Sequence, residues 1–173
     1  MKVVGFAGYS GAGKTTLIEQ LIKLLRQQGL GVSVIKHAHE GFDVDRPGKD
    51  SYRHREAGAY EVLLASRRRM ALLREWALPV EPKLQELIPE LGTVDWVFVE
   101  GFKFASIPKL EIWRAETGKP HLYEDDPFVV AILTRAGTPL PAPTQRPVFD
   151  IDQPELVADY LLSNASRFEY VDG

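Results

Sequence analysis

A doubly wound α/β fold, with a mostly parallel sheet and one inserted antiparallel β-hairpin, is predicted by three features of the chain. Short apolar runs alternate with amphipathic stretches along most of its length, the pattern of βαβ units wound around a parallel sheet. A glycine-rich turn, Gly8-Tyr9-Ser10-Gly11-Ala12-Gly13-Lys14-Thr15, joins the first apolar run to the first amphipathic stretch. In the middle of the chain two apolar runs are separated only by Ser66-Arg67-Arg68-Arg69, too few residues for a crossover and enough for a hairpin with a basic tip.

The elements follow in order. Val3-Val4-Gly5-Phe6-Ala7 reads as a buried strand. Residues 16–28 read as a helix, because Leu17, Leu21, Leu24 and Leu25 make one apolar stripe and Gly29 ends it. Residues 31–36, with Val32, Val34 and Ile35, give a second buried strand. The polar stretch 37–49 is too irregular for a regular element, and loops of that length inside domains are often functional. Residues 50–57 form a short helix capped by Asp50 or Ser51 and stopped by Gly58. Residues 60–65 and 70–76 are the arms of the hairpin. A helix over 81–91 is expected from Leu84, Leu87, Ile88 and Leu91 on one face, then a central strand over 94–99. Residues 110–114 alternate as a half-buried strand, 128–133 form a buried one, and 153–162 close the chain as a helix. The proline-rich stretch 137–147 carries no periodicity and reads as surface loop.

Composition bounds the possibilities. With 173 residues and 45% hydrophobic content the chain can bury a full core, and with no repeat in view residues 1–173 are expected to form a single domain. A net charge of −3 argues against a general nucleic-acid binder. No positive-then-apolar leader precedes the glycine-rich turn and no apolar run reaches the roughly 18 residues of a membrane span, so a soluble, cytoplasmic protein is expected. The absence of cysteine excludes disulfides, thiolate zinc sites and cysteine nucleophiles.

The glycine-rich turn fits G-x-x-x-x-G-K-[ST], the phosphate-binding loop of P-loop NTPase-like domains, and its flanking strand and helix give it chemical meaning. Backbone N–H groups from Gly8, Tyr9, Ser10, Gly11, Ala12 and Gly13 through Lys14, Thr15 and Thr16 would converge at a helix N-terminus, where orphan donors and the helix dipole favour phosphate. Lys14 would reach the β- and γ-phosphates, and the Thr15 hydroxyl would bind Mg²⁺. A second acidic partner for the metal is supplied by Glu100: Val94, Trp96, Phe98 and Glu100 share one side of their strand, so the carboxylate emerges at the strand's C-terminal end. This is a Walker B arrangement with Glu in place of Asp, or else a carboxylate that merely caps a strand. Asp43 and Asp45 compete with it for the metal or for positioning a water. His37 and His39 could bind metal from one side of an extended chain, or be solvated loop histidines. Lys36, Arg46, Lys49, Arg53 and Arg55 are mixed with acidic residues, a pattern of phosphate recognition or of an ordinary solvated face.

Beyond the phosphate loop, Lys36-His37-x-His39, Phe42-Asp43-x-Asp45-x-Pro47-Gly48-Lys49-Asp50-Ser51, His54-Arg55-x-Ala57-Gly58-Ala59, Glu100-Gly101-Phe102-Lys103 and Pro108-Lys109-Leu110-Glu111 resemble the molybdopterin-guanine dinucleotide biosynthesis adapter proteins over about residues 1–135. The resemblance implies a GTP-binding homodimer that associates with the molybdopterin guanylyltransferase, acts as an adapter in molybdenum cofactor maturation, and hydrolyses GTP weakly if at all. It also implies that Lys36, His37, Lys103 and Lys109, which lie in or beside the matching motifs, contact the nucleotide or the phosphate of molybdopterin. The chain departs from guanine-specific P-loop proteins at their Asn/Thr-Lys-x-Asp element, where it has Thr134-Arg135-Ala136-Gly137. Arg135 cannot accept the hydrogen bonds that guanine N1 and N2 donate, so GTP over ATP rests on the resemblance; Asp150 or Asp152 could substitute, or cap the last helix. No water-positioning Gln or arginine finger is identifiable, so hydrolysis should be slow unless Arg46, Arg53 or Arg55 acts in trans. The main rival is a small-molecule kinase using ATP, with Asp43, Asp45 or Glu100 as base and Arg67-Arg68-Arg69 as lid. The last is an interaction protein with a vestigial phosphate site.

Overall fold

The computed structural model describes residues 1–38 and 41–171; His39, one of the two histidines considered as metal ligands, lies outside the described residues. The chain divides into two compact units, Met1–His37 with Leu84–Gly173, and Ala38–Lys83.

The first unit is built on a six-stranded sheet in the order β2-β5-β1-β6-β7-β8, every neighbouring pair parallel. Its strands are β1 (Lys2–Ala7), β2 (Val32–Lys36), β5 (Trp96–Glu100), β6 (Lys109–Ile112), β7 (Val129–Thr134) and β8 (Val148–Asp150). Both faces are covered, which is why the central strands read as unbroken apolar runs. On one face α1 (Lys14–Gln27) and α4 (Pro154–Ser163) pack Leu17, Leu21, Leu25, Val157 and Leu161 onto Phe6, Trp96 and Phe98. On the other face Val3, Val97 and Val99 meet Ile35, Leu84, Ile88 and Ile107. Trp96 and Phe98 therefore point one way along β5 and Val97 and Val99 the other, and Glu100 continues the Trp96–Phe98 side.

Two expectations about these elements are corrected. The helix expected over residues 81–91 is a single turn, α3 (Leu84–Leu87), followed by a 3₁₀ turn, Ile88–Glu90. Pro89 has no N–H to donate, and its ring opposes a continuing α-helix. The strand at residues 110–114 is buried on both faces instead of one: its apparent polar positions, Lys109 and Glu111, are each 1% exposed. Glu111 accepts backbone hydrogen bonds from Leu122 (2.6 Å) and Tyr123 (2.7 Å), which satisfies it inside the fold. Burial pushes its carboxyl above the ordinary range, against the pull of those two bonds. The stretch 137–147 is surface loop as expected, without helix or strand, and it is tied down at Ala142, whose N–H donates to the Tyr123 hydroxyl while its carbonyl accepts from it.

The second unit holds α2 (Asp50–Glu56) and the hairpin of β3 (Glu61–Ala65) and β4 (Met70–Arg74), paired antiparallel with Ala65 opposite Met70. The Ser66 hydroxyl accepts from the backbone N–H groups of Arg68 and Arg69 and so shapes the basic tip. Neither Asp50 nor Ser51 caps α2; the residue before it is Lys49, with no side-chain cap, and the Ser51 hydroxyl donates to Asp45 at 2.8 Å.

Candidate functional site

β1 delivers the glycine loop to the centre of the sheet's C-terminal edge, between β5 and β6. Gly8 leaves the strand at φ 141°, where a Cβ would strike the carbonyl oxygen of Ile112, so no larger residue can begin the loop. Gly13 precedes α1 in the left-handed region, and no side chain caps the helix. The first N–H groups of a 14-residue helix are thus left without a capping partner, the arrangement that receives an anion.

The side chains around the loop are predominantly cationic. Lys14 donates from Nζ to the Tyr9 carbonyl at 2.9 Å. Its pKa is lowered, chiefly because burial disfavours the ammonium; Glu100 opposes that, and Lys36 and Lys103 reinforce it. Glu100, 7% exposed at the end of β5, accepts a 2.9 Å hydrogen bond from the Thr15 hydroxyl through one oxygen and faces Lys36 Nζ at 3.7 Å through the other. Lys103 lies over the rings of Tyr9 (4.5 Å) and Phe104 (4.8 Å). Lys36 pairs with the Glu100 carboxylate, Lys14 feels it, and Lys103 adds a third ammonium acting on Lys14, a balance that suits a polyanion accompanied by a divalent cation.

The other expected site residues fall into place separately. His37 stacks on Phe102, with ring centroids 4.8 Å apart, and its backbone N–H donates to the Glu100 carbonyl. Lys109, grouped with Lys36 and Lys103 as a phosphate contact, is instead a core residue whose ammonium donates to the Lys103 carbonyl and to Asp126, both at 2.8 Å. Asp45 belongs to the second unit. One oxygen accepts from Ser51 and from the Arg46 N–H, and the other pairs with Arg55 at 3.4 Å. Arg55 also binds Asp43 (3.0 Å) and Glu75 (2.7 Å). Burial opposes ionisation of Asp45, but the Ser51, Arg46 and Arg55 hydrogen bonds prevail and hold its carboxyl below the usual range. Asp43 is held low chiefly by the Asp45 N–H and then by Arg55. Asp150 accepts from the Asp152 N–H and from the Gln153 side chain, so it is engaged in the turn before α4. Among the described residues no three His, Asp or Glu converge as metal ligands, and no helix is long and apolar enough to cross a membrane.

One residue of the site escapes sequence reasoning. Arg114 follows β6, and its Nη2 lies 3.2 Å from where a Cβ on Gly13 would stand. Only the sheet order, which sets β6 beside β1, brings positions 13 and 114 together.

A parallel sheet whose first strand runs through a glycine loop into a helix, with a carboxylate on the adjacent strand bonded to the loop's threonine, defines a P-loop NTPase-like domain. The family model for MobB, molybdopterin guanine dinucleotide synthesis protein B, matches residues 3–135, and the chain belongs to that family. It is 41% identical to the molybdopterin-guanine dinucleotide biosynthesis adapter protein of Haemophilus influenzae, over 92% of this chain and 86% of that one. The Escherichia coli adapter protein is 37% identical, over 92% and 91%. The crystal structure of Bacillus subtilis MobB superposes with a TM-score of 0.73 at 28% identity, covering 99% of this chain and 100% of that one.

Proposed function

We propose that the protein is a GTP-binding adapter in molybdopterin guanine dinucleotide biosynthesis, assisting the guanylyltransferase that attaches GMP to molybdopterin. The observation that carries the nucleotide part is the Thr15–Glu100 hydrogen bond beside Lys14, at the uncapped start of α1. In this reading the loop N–H groups and Lys14 bind the β- and γ-phosphates, and Lys36 and Lys103 add positive charge from the ends of β2 and β5. Thr15 and Glu100 hold Mg²⁺, which when bound neutralises phosphate charge. Preference for guanine and for the guanylyltransferase comes from the family, since Asp150 is engaged and Thr134-Arg135 offers no carboxylate. Hydrolysis is slow in this reading, because no water-positioning glutamine is identifiable in the sequence.

Self-association as a homodimer is part of the same reading. Leu63 (59% exposed), Met70 (70%) and Leu72 (40%) on the hairpin support it, since apolar groups left in water on one element favour a partner.

Calorimetric titration of GTP and ATP with Mg²⁺ into wild type and Lys14→Ala tests the proposal. Selective GTP binding, abolished by the substitution, is expected. ATP preference with turnover that depends on an added acceptor would replace the adapter with a small-molecule kinase.

A further inference from the structure

The groups assigned above to phosphate and metal lie on one flank of the loop. Lys36 and Glu100 end β2 and β5, on one side of β1, and Lys103 follows β5. The opposite flank faces β6 and β8. There Gly13 meets the guanidinium of Arg114 and the side chain of Ile151, at 3.2 and 3.3 Å from its would-be Cβ.

Among the described residues no acidic side chain pairs with Arg114. The Arg114 Nε is buried and has no hydrogen-bond partner. Glu116, two residues on, is paired with Arg135 at 3.2 Å. A permanently charged, partly covered group with an orphan donor is costly, and the cost rises at the positive end of a helix with Lys14 close by. An anion on the loop relieves all three terms at once.

We infer that Arg114 is a phosphate-binding residue of the nucleotide site, acting within its own chain on the flank opposite Glu100. Its partner is the diphosphate shared by nucleoside di- and triphosphates. Thr15 and Glu100, which would hold the metal, lie on the β5 side of the loop; on the β6 side the Arg114 guanidinium fork supplies two donors for phosphate oxygens. Arg114 serves binding and not the γ-phosphate, so it is distinct from an arginine finger contributed in trans by Arg46, Arg53 or Arg55. This inference rests on the proposed nucleotide function.

The test is titration of Mg-GDP and Mg-GTP into wild type, Arg114→Gln and Arg114→Lys, with thermal melts of each protein alone and with nucleotide. Loss of a charged hydrogen bond should weaken both nucleotides by the same factor, roughly tenfold, in Arg114→Gln. The nucleotide-induced rise in Tm should shrink with it, and Arg114→Lys should recover part of both. A side chain that only packs against Gly13 would change the melt of the free protein and leave the nucleotide-induced rise intact. Wild-type affinity for both nucleotides in Arg114→Gln, or a loss confined to GTP, would overturn the assignment while leaving the nucleotide reading standing. If the glutamine variant does not fold, undiminished affinity in Arg114→Lys together with an unchanged nucleotide-induced rise would overturn it equally. Failure of wild type to bind either nucleotide would remove both.

Discussion

β5 and β3 are both five-residue strands rich in aliphatic side chains, and they have opposite fates. Trp96–Glu100 is buried at every position, whereas in Glu61–Ala65 four of five residues are exposed. The difference lies in what each strand can pair with. β5 has a parallel neighbour on each side and apolar side chains over each face, so every apolar group finds cover. β3 has one neighbour, and a two-stranded sheet alone is marginal. The unit that carries the hairpin relies correspondingly on charge: Arg55 gathers Asp43, Asp45 and Glu75, and Arg74 binds Glu61 at 2.6 Å. One unit is held by apolar burial and the other largely by ion pairs, and the two should respond to different perturbations.

The largest effect should come from the buried side. Phe98→Ala removes a fully buried ring that packs edge-on against Phe6 at 5.0 Å, and urea unfolding should register a loss of about 3–5 kcal/mol. A loss under about 1 kcal/mol would mean that the sheet unit does not depend on its core as described.

Acid should act on the other unit. The carboxyls of Asp43 and Asp45 titrate below 3.8 in the fold, so their contribution is complete above that value and vanishes as pH falls through their lowered values. Hydrogen exchange should show β3 and β4 losing protection in that window before β1 and β5 do, and Arg55→Gln should reduce the pH dependence while leaving the part that the Asp45 N–H, Ser51 and Arg46 hydrogen bonds contribute. Lys14 behaves in the reverse sense. Its folded pKa lies below 10.5, so its ammonium costs stability at neutral pH, and the cost is relieved as pH rises through the folded value toward 10.5. Wild type minus Lys14→Met, compared by melting across that range, should isolate this rise; a flat difference would mean that burial does not penalise the ammonium.

The smallest effect is expected at Leu63, 59% exposed on the hairpin. Leu63→Ser should leave the stability of a dilute sample within about 0.5 kcal/mol. A larger loss that grows with protein concentration would show the hairpin to be covered in solution.

How legible these features were follows the same division. The central strands were readable because a strand buried on both faces is a continuous apolar run, and the placement of Glu100 followed from alternation along Val94, Trp96 and Phe98. Thr15 and Glu100 then met because β1 and β5 are neighbours with Phe6 opposite Glu100. The one-turn α3 was missed by weighing Leu84, Leu87, Ile88 and Leu91 above Pro89, although the proline was in plain view. Lys109 and Glu111 misled because burial of a charge depends on partners that arrive from elsewhere in the chain, here Asp126 and the backbone at residues 122 and 123. Arg114 left no local signal, since position 114 acquires meaning only once β6 lies beside β1.

The interior ammonium of Lys109 turns a structural detail into a chemical clock. Amine-acylating reagents modify only the neutral, accessible form, and this nitrogen is 1% exposed as a residue, with two hydrogen bonds to break. Lys36, at 60% side-chain exposure, is open to the reagent in the native protein and should acylate without any opening of the sheet. Lys109 should acylate only as often as β6 parts from its neighbours, so the ratio of the two rates, read by mass spectrometry on the native protein, reports how frequently the centre of the sheet opens.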